Sequence, residues 1–152
     1  MSPLPLSDVL ALHRAGRLPE AEAGYRAIIA ASADADADAM QLLASLLHQD
    51  GRSQEALAWL DRALPRLARR DAAESNRAAM LLALARFDDA RASAERVLAR
   101  DPQHAGAALN RRLALLGQAR AASELLVKAR HYASYAAAGG DDPGAFLDYG
   151  NV

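Results

Sequence analysis

Apolar residues return along the chain with helical spacing, and the stripes themselves repeat. Ala21, Tyr25, Ile28 and Ile29 fall at i, i+4, i+7 and i+8, which places them on one side of a helix. Ala56, Leu60, Ala63 and Leu64 make the same pattern, as do Ala90, Ala94, Val97 and Leu98. A small residue opens each set. There two helices can approach closely, and a larger side chain would push them apart. A turn signal precedes each stripe: Gly16-Arg17, Gly51-Arg52 and Ala85-Arg86. Glycine accepts the left-handed conformation that closes a helix. Glu20, Glu55, Asp88 and Asp89 then fall in the first turn of the next helix, where the dipole favours negative charge.

The stripes have a period. Ala56 follows Ala21 by 35 residues, and Ala90 follows Ala56 by 34. Asn76-Arg77 and Leu81-Leu82 return 34 residues later as Asn110-Arg111 and Leu115-Leu116. Each unit reads as two helices. The pattern predicts helices over about 7–15 and 19–32, 37–50 and 53–69, 72–85 and 87–100, and 104–116 and 119–138. Pro102 stops the sixth. The units cover about 7–35, 37–70, 71–103 and 104–138, within one repeat domain over 1–138.

Composition supports helices and excludes several functions. Of 152 residues, 39 are alanine and 24 leucine, and aromatics make up 5%. Alanine and leucine favour helix, and a sheet protein would carry more β-branched and aromatic residues. The length fits a single domain. A formal charge of −1 gives no general attraction to phosphate backbones, so no nucleic-acid partner is expected. No apolar run reaches the span of a bilayer, so no membrane partner is expected. Met1-Ser2-Pro3-Leu4-Pro5 lacks the basic and apolar regions of a signal peptide, and a cytoplasmic location is expected. Zero cysteines exclude disulfides, thiolate metal sites and a cysteine nucleophile.

These residues resemble the tetratricopeptide repeat family, a helical hairpin of about 34 residues. Met40, Leu43, Ala44 and Leu47 match its first-helix positions in the second unit, and Ala56, Leu60 and Ala63 match its second helix. The third unit supplies Ala78, Leu81, Phe87, Ala90 and Pro102; the first supplies Gly16, Ala21 and Tyr25. The match runs from residue 7 to about 130. It has departures. Ser32 to Asp38 replace the closing proline of the first unit, and Glu74 and Arg77 stand where the pattern is bulky and apolar. In the fourth unit Gly117, Ala122, Leu126 and Ala129 set a frame two residues away from that of Asn110. The resemblance implies an all-α superhelical solenoid of about four hairpins that binds a protein or peptide segment on a concave surface, with no catalysis of its own. The alternatives are a substrate-recruiting N-terminal arm of a larger bacterial transferase or hydroxylase and, behind it, a self-associating scaffold.

In such repeats an asparagine facing the concave side can hydrogen-bond the backbone of an extended peptide. Asn76 and Asn110, one period apart, resemble the asparagine ladder of protein O-glycosyltransferase superhelices. Gln41, Ser45 and Ser75 are their expected groove neighbours. Ordinary hydrogen bonding between helices is the competing role for both asparagines. The family's chaperone-tail clamp is disfavoured, because no lysine precedes Lys128 and Leu42 and Ser45 occupy the clamp positions.

No other chemistry emerges. Asp34, Asp36 and Asp38 are spaced like the start of a calcium loop, but Ala39 and Ser45 stand where glycine and a bidentate glutamate are required. His13, His48, His104 and His131 form no zinc-ligand pattern, and surface, capping or packing roles are expected. Gly139-Gly140 follows a helix and makes no phosphate loop. Helix carboxylates read as solvated partners of arginine, such as Glu95 with Arg91. No catalytic, cofactor or metal residues are expected. Asp141-Asp142-Pro143 reads as a helix start leading to Phe146, Leu147, Tyr149 and Gly150. It is expected to open a fifth repeat of a longer protein, or to form a capping helix over 141–152, with a homodimer through this end as the expected form of self-association.

Overall fold

The computed structural model describes residues 3–137, and the expectations for 139–152 lie outside them. The described residues are all-α. Seven α-helices follow in order: α1 Leu6–Arg14, α2 Leu18–Ala31, α3 Ala37–Gln49, α4 Ser53–Ala63, α5 Asp71–Ala83, α6 Phe87–Arg100 and α7 Ala105–Ala137. A short 3-10 turn, Leu64–Arg66, extends α4. Its cause is Pro65, which has no N–H to continue the helix and clashes with the preceding turn. The helix expected over 53–69 therefore ends at Ala63.

One turn closes α1, α3 and α5, and the same pair of bonds ends α2 at Ala33 and Asp34. Arg17 N donates to Leu12 O, Arg52 N to Leu47 O and Arg86 N to Leu81 O, while Gly16, Gly51 and Ala85 donate to His13, His48 and Leu82. This paired bonding satisfies the orphan carbonyls at the end of α1, α3 and α5 and needs a left-handed residue at its centre. Gly16 and Gly51 have φ of 76° and 80°, and Ala85 is held at 55°. A side chain in that region strains against the backbone. Ala85→Gly should therefore stabilise the fold by about 0.5–1 kcal/mol, and Gly51→Ala should destabilise it by a similar amount. No atom lies within 4 Å of a Cβ built on Gly51, so the effect is purely conformational. Urea midpoints of the two variants moving in the same direction would refute this.

Among the described residues, those up to Leu115 form one compact unit and those from Leu116 a second. In the first, α1 packs on α2, α3 on α4 and α5 on α6. Further contacts join α2 to α3, α4 to α5, α1 to α3 and α3 to α5. Val9, Tyr25, Ile29, Met40, Leu43, Leu47, Leu60 and Met80 are buried in one cluster that runs from α1 to α5. Two smaller clusters continue it. Leu57, Leu81, Ala90 and Ala114 make one, and Ala78, Ala94, Val97 and Ala107 the other. Each large side chain so buried contributes about 1.5–3 kcal/mol. The two polar departures of the third unit are accommodated by ion pairs. Glu74 meets Arg96 at 3.0 Å, and Arg77 meets Asp61 at 2.6 Å and donates to Ser93 Oγ at 2.8 Å.

The expected helices over 104–116 and 119–138 are not separate: α7 is continuous across Gly117. Counting 34 residues on from α5, Ala107 and Ala114 match Ala73 and Met80, all buried. In that register Arg111 and Arg112 stand where α3 has Leu43 and Ala44. A face carrying two guanidinium groups cannot bury a returning helix as Leu43 and Ala44 do. Nothing then compensates a break, and the alanine-rich flanks outweigh the cost of about 1 kcal/mol for one glycine within a helix. In the second unit every side chain from Ala119 to Ser134 is exposed.

Candidate functional site

On α3, Ala39, Met40, Leu43, Ala44, Leu46 and Leu47 are all buried. The remaining arc carries the half-buried Gln41, Leu42, Ser45 and His48. Ser45 Oγ donates to the Gln41 carbonyl at 3.1 Å, leaving the Gln41 amide available. On α5 the equivalent arc carries the half-buried Asn76 and Ala79. Asn76 makes no side-chain hydrogen bond among the described residues. Ser75 is buried instead, because Asn110 lies against it. Asn110, 9% exposed, donates from Nδ2 to the Ser75 carbonyl at 2.9 Å and lies 3.4 Å from Ser75 Oγ. Ser75 and Asn110 are thus brought together across α5 and α7, while Gln41 and Ser45 share one turn of α3. Of the two asparagines, only Asn76 keeps its amide uncommitted.

The histidines hold elements together. His13 bridges Tyr25 Oη and Gln49 Oε1, each at 3.2 Å. A neutral ring donating from Nε2 to Gln49 and accepting at Nδ1 satisfies both. His48 Nδ1 meets Ser53 Oγ at 2.8 Å, and His104 Nδ1 accepts from Ala107 N at 3.1 Å at the start of α7. His131 is exposed. Asp36 caps α3 by accepting from Ala39 N at 2.8 Å, and Asp34 pairs with Arg62 at 2.9 Å. Among the described residues no group of three or more such side chains could hold a metal ion. The expected pair of Arg91 and Glu95 forms at 3.0 Å. A shallow depression of about 500 Å³ is lined by Arg69, Arg70 and Arg100. Two of those guanidinium groups are already engaged: Arg100 by Asp71, Arg70 by the Pro65 carbonyl.

Sequence reasoning missed a charge network between α2 and α4. Arg26 contacts Glu22 at 2.8 Å and Glu55 at 2.6 Å, while Arg52 contacts the same carboxylates at 2.8 and 2.6 Å. Arg26 and Arg62 also flank the Trp59 ring, 5.8 and 4.5 Å from its centroid. The signal was present: arginine three residues before a carboxylate recurs as Arg17–Glu20, Arg52–Glu55 and Arg86–Asp89. Hydrogen bonds from Arg26, then Arg52, hold both Glu22 and Glu55 below their ordinary value of 4.5. The sign follows: a depressed folded value gives stability that is present above 4.5 and lost as pH falls through the depressed one. Glu22→Gln should weaken the fold at neutral pH and leave it less sensitive to acid below 4.5. Equal acid sensitivity of the two proteins in urea titrations would contradict the pairing.

No family model matches the chain, and no curated protein matches it. No described helix is long and apolar enough to cross a membrane.

Proposed function

We propose that the helix pairs stack as tetratricopeptide-like repeats in a superhelix whose inner wall binds a segment of another protein. One observation carries this reading. The same closing turn, with the same pair of backbone hydrogen bonds, ends the first helix of each pair at residues 16, 51 and 85, and the buried stripes that follow keep its register. A hairpin of this kind leaves one apolar side uncovered, and a neighbouring copy covers it. The odd-numbered helices then line the inner wall, with Gln41, Ser45 and Asn76 on it. A free carboxamide offers both a donor and an acceptor, which suits an extended peptide backbone.

Peptides selected on the immobilised protein from a random displayed library supply the probe. Asn76→Ala and Gln41→Ala should each weaken the selected peptides by about fivefold, as expected for one lost hydrogen bond, with helicity unchanged. Asn110→Ala should also lower the melting temperature, because Ser75 loses its partner. Affinity unchanged in the Asn76→Ala, Gln41→Ala double variant would overturn the reading.

A further inference from the structure

The depression at the start of α5 and the end of α6 carries more positive charge than its ion pairs cancel. Arg69 and Arg70 reach it from the stretch that joins α4 to α5, Asp71 and Ala72 from the first turn of α5, and Arg100 from the end of α6. Three guanidinium groups against one carboxylate leave a local charge of +2, within a chain whose formal charge is −1. Arg69 makes no ion pair or hydrogen bond among the described residues. Arg70 donates to the Pro65 carbonyl at 2.9 Å, and a neutral acceptor leaves its charge in place. Arg100 directs Nε and Nη2 to the same oxygen, Asp71 Oδ1, at 2.7 and 2.6 Å, which leaves Nη1 uncommitted. All three arginines are exposed, and an exposed ion pair holds its partners weakly. The first turn of α5 has no side-chain cap, and its dipole adds a field of the same sign.

We propose that this depression binds a phosphate monoester. The phosphate group of a monoester carries about −1.5 to −2 at neutral pH, which matches the local charge of +2. A carboxylate or a phosphodiester brings a single negative charge and leaves one guanidinium group uncompensated. A guanidinium fork pairs two N–H groups with two oxygens of one anion. The three terminal oxygens of a monoester can be shared among arginines from two chain segments. The depression, about 500 Å³, is many times the roughly 30 Å³ that one water molecule occupies, so the organic part of the ester has room. A small organic phosphate and a phosphorylated side chain both present this group. The inference does not depend on the inner-wall groove.

The test follows backbone amide shifts of the whole chain during three titrations. The probes are glycerol 3-phosphate, a short alanine peptide carrying one phosphoserine, and the same peptide unphosphorylated. Shifts at Arg69, Arg70, Asp71 and Ala72 should saturate with both phosphates and stay still with the unphosphorylated peptide. A phosphopeptide about tenfold tighter than glycerol 3-phosphate makes a phosphorylated protein segment the source; otherwise the source is a small organic phosphate. Arg69→Glu should weaken binding about tenfold or more, and Asp71→Asn should tighten it about threefold, because a repelling carboxylate is removed and Arg100 is released. Arg69 has no partner to lose, so circular dichroism of Arg69→Glu should match the parent, and a damaged fold would not gain affinity as Asp71→Asn should. Absence of saturating shifts with either phosphate would overturn the proposal. So would shifts centred on other arginines, or affinities that Arg69→Glu and Asp71→Asn leave unmoved.

Discussion

Leu60→Ala should destabilise the protein by about 2–5 kcal/mol, whereas Leu125→Ala should change stability by less than about 0.5 kcal/mol. The two leucines have the same chemistry and both lie on helices, so their surroundings decide. Leu60 is fully buried in the cluster with Met40, Leu43, Leu47 and Ala63, and Leu125 is 69% exposed. Removing three carbons from Leu60 loses transfer energy and leaves a cavity that neighbouring helices close only in part. Urea unfolding followed by circular dichroism measures both. Comparable losses in the two variants would mean that α7 is packed as tightly as α4.

The second large effect concerns a swap between repeats. Val9 occupies the position that is Ala44 in the second unit and Ala78 in the third, and all three are fully buried. Gly24 occupies the position of Trp59 and Ser93. The bulk added on α1 is offset by bulk removed on α2: a Cβ built on Gly24 would fall 2.7 Å from Val9 Cγ2 and 2.8 Å from Cγ1. Gly24→Ala should therefore destabilise by about 1–3 kcal/mol, although alanine is the better helix former. Shortening Val9 to alanine makes room. The double variant Val9→Ala, Gly24→Ala should be more stable than the sum of the single effects predicts, by about 1–3 kcal/mol. Additive losses would show that the two positions do not touch.

The first three helix pairs were legible because their information is local. A glycine before arginine, a carboxylate three residues later and a small residue opening an apolar stripe each act within a turn or two. Even Ala85, which lacks the glycine signal, was found because the register around it held. The α7 region was not legible in the same way. Its leucines and Gly117 look like a further hairpin, and the deciding feature is the guanidinium pair of Arg111 and Arg112 on the side a returning helix would need. The candidate site divides along the same line. Gln41, Ser45 and Asn76 lie on the arcs that the pattern left open. Asn110 was drawn instead to the Ser75 carbonyl of α5, a contact between residues 35 apart in sequence that periodicity alone cannot reveal.

The central claim is that stacked helix pairs leave one wall free to hold another polypeptide. Backbone amide chemical-shift mapping of the chain with a library-selected peptide tests it most directly. The account predicts shifts concentrated at Gln41, Ser45, Asn76 and Ala79, with Ala23, Ala58 and Ala92 on the even-numbered helices unmoved. Shifts concentrated on α2, α4 and α6, with α3 and α5 silent, would contradict it.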